Sequence, residues 1–319
     1  MEQRLVTKRG SELARRATQD GVAVREVPWG PALDPRALWR LYREVAGWQP
    51  DLVHAHDSHA LLLADWARRL AGRTARTPAL VGTRRVDFHV RRSSAWLRAA
   101  RVIAISAAVK GVLMADGVPE RDISVVPSGV DPDEVRRSAA CPLDIRGRLG
   151  LAAGTPLAVN VAALVGHKDH HTLVRAARAA RAARPDLHWA VAGEGELRRS
   201  VEREIARAGL GHCVHLLGYV ADADALIREA DVFVMSSKQE GLGSVVLHAL
   251  ALGRPVVATR GGGLPEIVPP ECLVPVGDAE ALAHKVVAAL DHPSPIPFPP
   301  SHSAAAMARG VLAVYRALV

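Results

Sequence analysis

Short apolar runs alternate with stretches of helical periodicity from one end of the chain to the other. The runs at residues 22–27, 52–55, 79–82, 102–105 and 124–126 predict strands, and the spacing between them predicts helices, over 35–46 and 58–70 among others. After "VPSGVDPDEVRRSAACP" the pattern restarts at 157–161 and continues with 187–192, 214–216, 232–235, 255–258 and 272–274. Strand and helix in regular alternation is the signature of parallel sheets built from βαβ units. Both periodicities break near residue 140, around Pro132 and Pro142, so the chain divides into a domain over 1–140 and another over 141–303. "HPSPIPFPPSHS" is a proline-rich connector, incompatible with regular helix or a central strand. It leads to an amphipathic segment over 304–318 with Met307, Val311, Val314 and Tyr315 on one stripe. A lone helix of that kind needs a partner, and packing back on the first domain would supply one.

The opening, "RLVTKRGSELARRATQDGVAVREV", reads as strand, turn, helix, strand, so the first domain begins partway through a βαβ series. Doubly wound sheets place their first strand centrally, beside the crevice where ligands bind. The N-terminal sheet is therefore expected to lack its first strand and to carry a gap. Either the start codon is assigned too late or the strand is truly missing, and the upstream reading frame distinguishes the two.

Bulk properties narrow the class. The 319 residues exceed the ~250 to 300 at which single cores stop growing, which favours two domains. No apolar run approaches the ~18 residues that cross a bilayer, and charges interrupt the N-terminus where an export signal needs an apolar core of ~7 to 15. Cys141, Cys213 and Cys272 are odd in number and widely spaced, which fits neither a disulfide frame nor a zinc site. A cytoplasmic protein with reduced cysteines is the expectation. The net charge of +8 arises from 41 basic and 33 acidic residues, but aromatics make up only 4%, too few for the basic and aromatic stripes that bind nucleic acid. The basic field leaves open peripheral contact with an anionic membrane surface and attraction to phosphorylated substrates.

Chemistry concentrates in "SSKQEGLGSVVLHALALGRPVVATRGGGLPEIV". Glu240 follows an apolar strand and a polar turn, and Gly241, Leu242, Gly243 and Ser244 open a helix whose free N–H groups suit a diphosphate. Leu242, Val245, Val246, Ala249 and Leu250 mark its buried side, while Gly241, Ser244 and His248 fall along another face near the same crevice. Taken alone, a histidine on such a helix is more often packing than ligand.

The order of motifs changes that weighing. This segment resembles the donor-site signature of retaining glycosyltransferases of family 4, whose GT-B fold sets two Rossmann-like domains facing across a cleft. "DLVHAHDSHA" resembles that family's first-domain histidine motif, "RVIAISAAV" its strand leading to a serine, and "VVPSGVD" its segment entering the linker. "NVAALVGHKDHHTLVRAA", "VAGEGELRRSVE" and "HLLGYVADADALIREADVFVMSS" resemble the approach through the donor domain, and the terminal helix resembles one that crosses back to the N-terminal domain. The resemblance implies a nucleotide-diphosphate sugar as donor substrate, held by the C-terminal domain, with the acceptor on the N-terminal side. It implies that Glu240 contacts the donor sugar and that an acid eight positions later binds ribose hydroxyls. His248 stands in that second place, where a neutral imidazole accepts one hydrogen bond instead of two charge-assisted ones, a weakening of ~1.5 to 3 kcal/mol. The family's arginine and lysine on the diphosphate align with Ala163 and Lys168, so one cation is missing. His167, Arg84 or Arg85 could compensate, against the alternative that each is an ordinary surface side chain.

The remaining assignments follow the resemblance. His56 is expected to face the transferred sugar, with Asp57 and Arg84 on the acceptor side and His54 structural. A metal site among His54, His56, Asp57 and His59 is rejected, because alternate residues of a strand point to opposite faces, and no cofactor is called for. Gly193 and Gly195 would admit the nucleotide close to the backbone, and Tyr219 would lie along its base, with a packed aromatic as the alternative. The leading expectation is a retaining, metal-independent transferase acting on an envelope glycolipid or lipopolysaccharide. The competing one is a catalytically reduced homologue that binds a nucleotide sugar or a partner. A nicotinamide dehydrogenase is disfavoured, since no strand leads into a full GxGxxG with a ribose acid ~20 residues on.

Overall fold

The computed structural model describes residues 2–30, 34–72, 77–90 and 94–319. They form two compact units. The first comprises Met1–Ala104, Lys110–Val125 and Val311–Val319; the second comprises Ile105–Val109 and Val126–Gly310.

The first unit runs β1 (Arg4–Lys8), α1 (Glu12–Gln19), β2 (Ala23–Val27), α2 (Pro35–Trp48), β3 (Leu52–Ala55), α3 (Ser58–Ala71), β4 (Ala79–Arg84), β5 (Arg101–Ala104), α4 (Ala107–Ala115, of which only Lys110 onward belongs to this unit) and β6 (Ile123–Val125). Local chemistry sets these boundaries. Asp34 caps α2 by accepting from the Arg36 amide, Pro35 occupies the first turn where its missing N–H costs nothing, and Ala37, Leu41 and Val45 form the buried stripe. All the strand pairings are parallel, but they fall into two separate sheets, β1–β2 and β3–β4–β5–β6. In the 3-2-1-4-5-6 order of a doubly wound sheet the first strand sits between such groups, and among the described residues no strand occupies that position. The two-stranded sheet is braced by α2 instead. Glu44 pairs with Arg4 and Arg25, and the Arg4 guanidinium lies 4.7 Å from the Trp48 ring centre. The helix then packs along α3, the cover of the larger sheet.

The second unit continues with α5 (Pro132–Ser138), α6 (Ile145–Arg148), β7 (Leu157–Val161), α7 (His170–Ala180), β8 (His188–Ala192), α8 (Arg198–Arg207), β9 (Val214–Gly218), α9 (Ala223–Arg228), β10 (Val232–Met235), α10 (Ser244–Ala251), β11 (Val256–Thr259), β12 (Leu273–Val274), α11 (Ala279–Asp291) and α12 (Ala304–Arg316). Its strands form one parallel sheet in the order β12-β11-β10-β7-β8-β9. The first strand of the unit, β7, is central and reads LAVNV, with four of its five residues buried. Trp189, Phe233, Leu157 and Leu173 are fully buried around it. The last residues of α12 belong to the first unit, where the Tyr315 hydroxyl meets His54 Nδ1 at 2.5 Å.

Candidate functional site

The topology points to one place in the second unit. Chain direction in the sheet order reverses between β7 and β10, and ligands of open parallel sheets bind beyond the carboxyl ends of the strands at such a switch point. The loop leaving β7 carries Lys168, and the loop leaving β10 carries Glu240. The two side chains form a salt bridge there, with only 17% of the lysine and 10% of the glutamate side chain exposed. Ser237 Oγ lies 3.4 Å from Glu240 Oε1.

The two loops are sewn together by long-range hydrogen bonds. Ser236 Oγ donates to the Lys168 carbonyl at 3.0 Å, the Lys238 amide donates to the His167 carbonyl at 2.8 Å, and Lys238 Nζ pairs with Asp169 at 3.2 Å. The loop after β11 supports them from behind. Gly261, Gly262 and Gly263 lie backbone to backbone against the carbonyls of Ser237, Glu240 and Gly241, so a Cβ at any of them would collide with main chain. Gly262 also has a φ of +55°. The second glycine run is thus a brace for the Glu240 loop. Gly193 and Gly195, expected to make room for a nucleotide, are glycines for a related reason: their α-carbons face the carbonyls of Ala162 and Leu164 in the β7 loop.

Helix α10 opens toward the same region. Its N-cap is Gly243 at φ +85°, and no side chain caps it; the Val246 amide turns back to the Gly243 carbonyl at 2.8 Å, which leaves the Ser244 and Val245 amides and the positive end of the helix dipole for an anion. Ser244 is exposed at that start, and Gly241 and Gly243 are buried. The Leu242 side chain is buried in the core, so only its backbone faces the loop. Val245 is half-buried where the spacing marked it as core, and Leu247 takes a core position instead. His248 is one helical turn beyond Ser244. Its Nδ1 lies 2.6 Å from Asp224 Oδ1 at the start of α9, and the other Asp224 oxygen accepts from the Ser138 hydroxyl of α5. Burial alone would raise the Asp224 pKa, but the hydrogen bonds from His248 and Ser138 hold it below the ordinary carboxylate value. Sequence reasoning assigned neither partner; "ADADAL" shows a short acidic helix start and nothing of its neighbour across the fold.

Further groups lie on or next to the loops of this unit. His170, the first residue of α7, is 1% exposed with neither ring nitrogen bonded, and burial together with the charge of Lys168 lowers its pKa to about 4. Tyr219, just after β9, is 80% exposed and packs into no core. Ser106 immediately precedes α4; its hydroxyl donates to the Gly241 carbonyl at 2.5 Å, and Glu266 accepts from the amides of Ala107 and Ala108. Ala163 leaves the β7 loop with no cation at that position.

The candidates in the first unit divide differently. His56 is exposed after β3, its imidazole held below its usual pKa by the surrounding protein and then by the charge of Arg85. Asp57 is the N-cap of α3, accepting from the Ala60 amide at 2.7 Å. Arg84, expected on the acceptor side, is buried. Its guanidinium donates to Ser58 Oγ and to the Phe88 carbonyl and lies 5.4 Å from the Trp96 ring centre, which makes it a packing brace and leaves Arg85 as the exposed cation. His54 bonds Tyr315 and Thr83, and burial lowers its pKa to about 3. Among the described residues no three His, Cys, Asp or Glu side chains converge as metal ligands, and no helix is long and apolar enough to cross a membrane.

A cavity of about 730 Å³ lies at the opposite end of β11, beneath the proline-rich connector, lined by Pro255, Ile267, Cys272, Lys285 and Pro297 among others. Glu240, Lys168 and His248 do not line it. The convergent charged groups and the open helix start identify the switch point as the better candidate.

Comparison with known proteins agrees. Residues 155–292 match the model of glycosyl transferases group 1, and residues 2–134 match that of Glycosyltransferase Family 4. A 2-deoxystreptamine glucosyltransferase of Streptomyces kanamyceticus is 32% identical over 206 residues, 62% of this chain and 53% of that protein. A GDP-mannose-dependent monoacylated alpha-(1-6)-phosphatidylinositol monomannoside mannosyltransferase of Corynebacterium glutamicum is 32% identical over 182 residues, 53% of this chain and 47% of that protein. The matched stretches thus span about half the length of these relatives. The crystal structure of Anabaena Alr3699/HepE with UDP and glucose superposes with a TM-score of 0.79 at 19% identity, covering 99% of this chain and 91% of that one. The chain thus carries a Glycosyltransferase Family 4 domain over residues 2–134 and a glycosyl transferases group 1 domain over residues 155–292, and the superposition shows the GT-B fold.

Proposed function

We propose that this protein is a retaining glycosyltransferase that moves a sugar from a nucleotide-diphosphate donor to a hydroxyl of an envelope glycan or glycolipid. The Lys168–Glu240 pair at the switch point, beside the uncapped start of α10, carries the reading. A cation and a helix N-terminus at one loop edge suit a diphosphate, and a carboxylate held next to them suits the hydroxyls of the sugar. In the reaction the bond from the anomeric carbon to the diphosphate oxygen breaks and its electron pair leaves with the diphosphate. Lys168 and the α10 amides stabilise the charge that develops there. The acceptor oxygen bonds to the same carbon on the face the leaving group departs, and its proton passes to the departing phosphate oxygen. His56 would face the transferred sugar from the N-terminal domain over 1–140, with Asp57 on the acceptor side, and Tyr219 would lie along the nucleobase. No cofactor is required in this scheme.

The relatives support the donor and acceptor classes by analogy: one is named for GDP-mannose and a phosphatidylinositol mannoside, and the structural neighbour holds UDP and glucose. An acceptor of the first kind would bring a basic protein to the inner membrane face. Incubation with a panel of UDP- and GDP-sugars, following nucleoside diphosphate release and glycan products, tests the reading. Glu240→Ala should lower transfer about a thousandfold while the protein stays folded; transfer unaffected by that change would end it. A second reading, a nucleotide-sugar-binding homologue without turnover, is favoured by Ala163 and by the interrupted first sheet. Tight binding with no product from any donor would select it.

A further inference from the structure

His248 is the point at which the sequence departs from a carboxylate, and its surroundings show where the negative charge resides. An ionised carboxylate can only accept hydrogen bonds, so the 2.6 Å contact between Asp224 Oδ1 and His248 Nδ1 requires the proton to sit on Nδ1. In the neutral ring Nε2 then carries a lone pair, and it has no protein partner among the described residues. Asp224 is itself fixed, with its second oxygen held by Ser138 and only 18% of its side chain exposed, against 32% for His248. The imidazole is therefore the outer member of the pair. Both helices that carry it, α9 and α10, begin at the carboxyl edge of the sheet, where the Lys168 and Glu240 loops lie.

We propose that Asp224 and His248 act as one hydroxyl-recognition unit: Asp224 holds the Nδ1 proton and so presents bare Nε2 as the acceptor for a ribose hydroxyl of the donor nucleotide. This rests on the nucleotide-sugar reading above. The acid is displaced from α10 to the neighbouring helix, and the imidazole relays its polarity while its ring is kept from swinging. Asp224 is a positioning residue, and Ser138 supports it from behind. An aspartate behind a histidine also favours the ring as acceptor over the ring as donor, so the unit selects for a ligand O–H and against an ether or hydrogen at the same place.

Two measurements on the full chain test this. In ¹⁵N NMR at pH 8, with the His248 signals identified by their loss in His248→Gln, the wild-type ring should be the Nδ1–H tautomer. Asp224→Asn, whose amide can donate to Nδ1, should shift the proton to Nε2. By calorimetry, UDP or GDP should bind about tenfold more tightly than its 2′- or 3′-deoxy counterpart. His248→Ala and Asp224→Asn should erase that ratio while leaving the affinity for the deoxy nucleotide within about twofold, and Asp224→Glu should restore part of it. Glu240→Ala should keep the ratio intact. An Nε2–H tautomer in the wild type, or a ratio unchanged in Asp224→Asn, overturns the inference while leaving the transferase reading standing. Failure of the wild type to bind either nucleotide overturns both.

Discussion

Among the described residues the two units contain six strands each, and they differ in one respect that decides what they can do. In the second, the strand that comes first in sequence, β7, lies between β8 and β10, so two loops distant in the chain leave the same edge side by side. In the first, the strands form a pair and a quartet with no strand between them among the described residues, and β3, which precedes His56, ends its sheet instead of lying inside it. A central strand supplies hydrogen bonds to both neighbours and burial on both faces, and it also creates the crevice. The first unit substitutes helix packing of α2 on α3 and the Glu44 ion pairs for the missing ladder, which holds the pieces together without making a second switch point.

The comparison can be broken by mutation. Phe233→Ala, in the continuous sheet, should cost the second unit about 3 to 5 kcal/mol in denaturant unfolding, since the side chain is fully buried. Leu5→Ala, in the half-buried pair of strands, should cost about 1 kcal/mol; equal costs would mean that the interrupted sheet is as well packed as the continuous one. Gly262→Ala places a methyl against the Glu240 carbonyl at a left-handed φ and should destabilise by about 2 kcal/mol, with a fall in donor affinity measurable by titration.

Acid should affect both units. His54 in the first and His170 in the second have folded-state pKa values of about 3 and about 4, below the ordinary 6.5. Below pH 6.5 the unfolded chain therefore binds more protons than the folded one. Stability is complete above that pH and is lost on acidification toward 4 and 3, by up to about 1.4 kcal/mol per pH unit for each histidine. His54→Asn should flatten the acid limb of the first unit alone, as read by thermal unfolding at pH 7 and pH 5. The smallest effect is expected from Tyr315→Phe, which removes the bond from α12 to His54 and should cost about 1 kcal/mol.

Much of this was legible in the sequence. Strands β7 and β10 fall on the residues their apolar runs predict, the break in the first sheet follows from the strand, turn, helix, strand opening, and motif order alone singles out Lys168 and Glu240, which the fold brings into contact. Other residues were read in the wrong setting. Arg84 looked like a surface cation because arginine usually is one; its burial beside Trp96 depends on β4 pairing and on a loop that returns its Phe88 carbonyl. Gly193 and Gly195 read as ligand clearances, whereas the space they vacate is filled by the main chain of the β7 loop.

By itself the sequence determined the alternation of elements, their caps and the loops that carry charge, because periodicity, capping and turn chemistry involve residues within a few positions of one another. Only the tertiary structure decided which of those loops meet. The Lys168–Glu240 bridge, the glycine brace and the Ser138–Asp224–His248 chain each join segments far apart in the chain. Their formation depends on strand order and helix packing, which fix distances that no local pattern encodes.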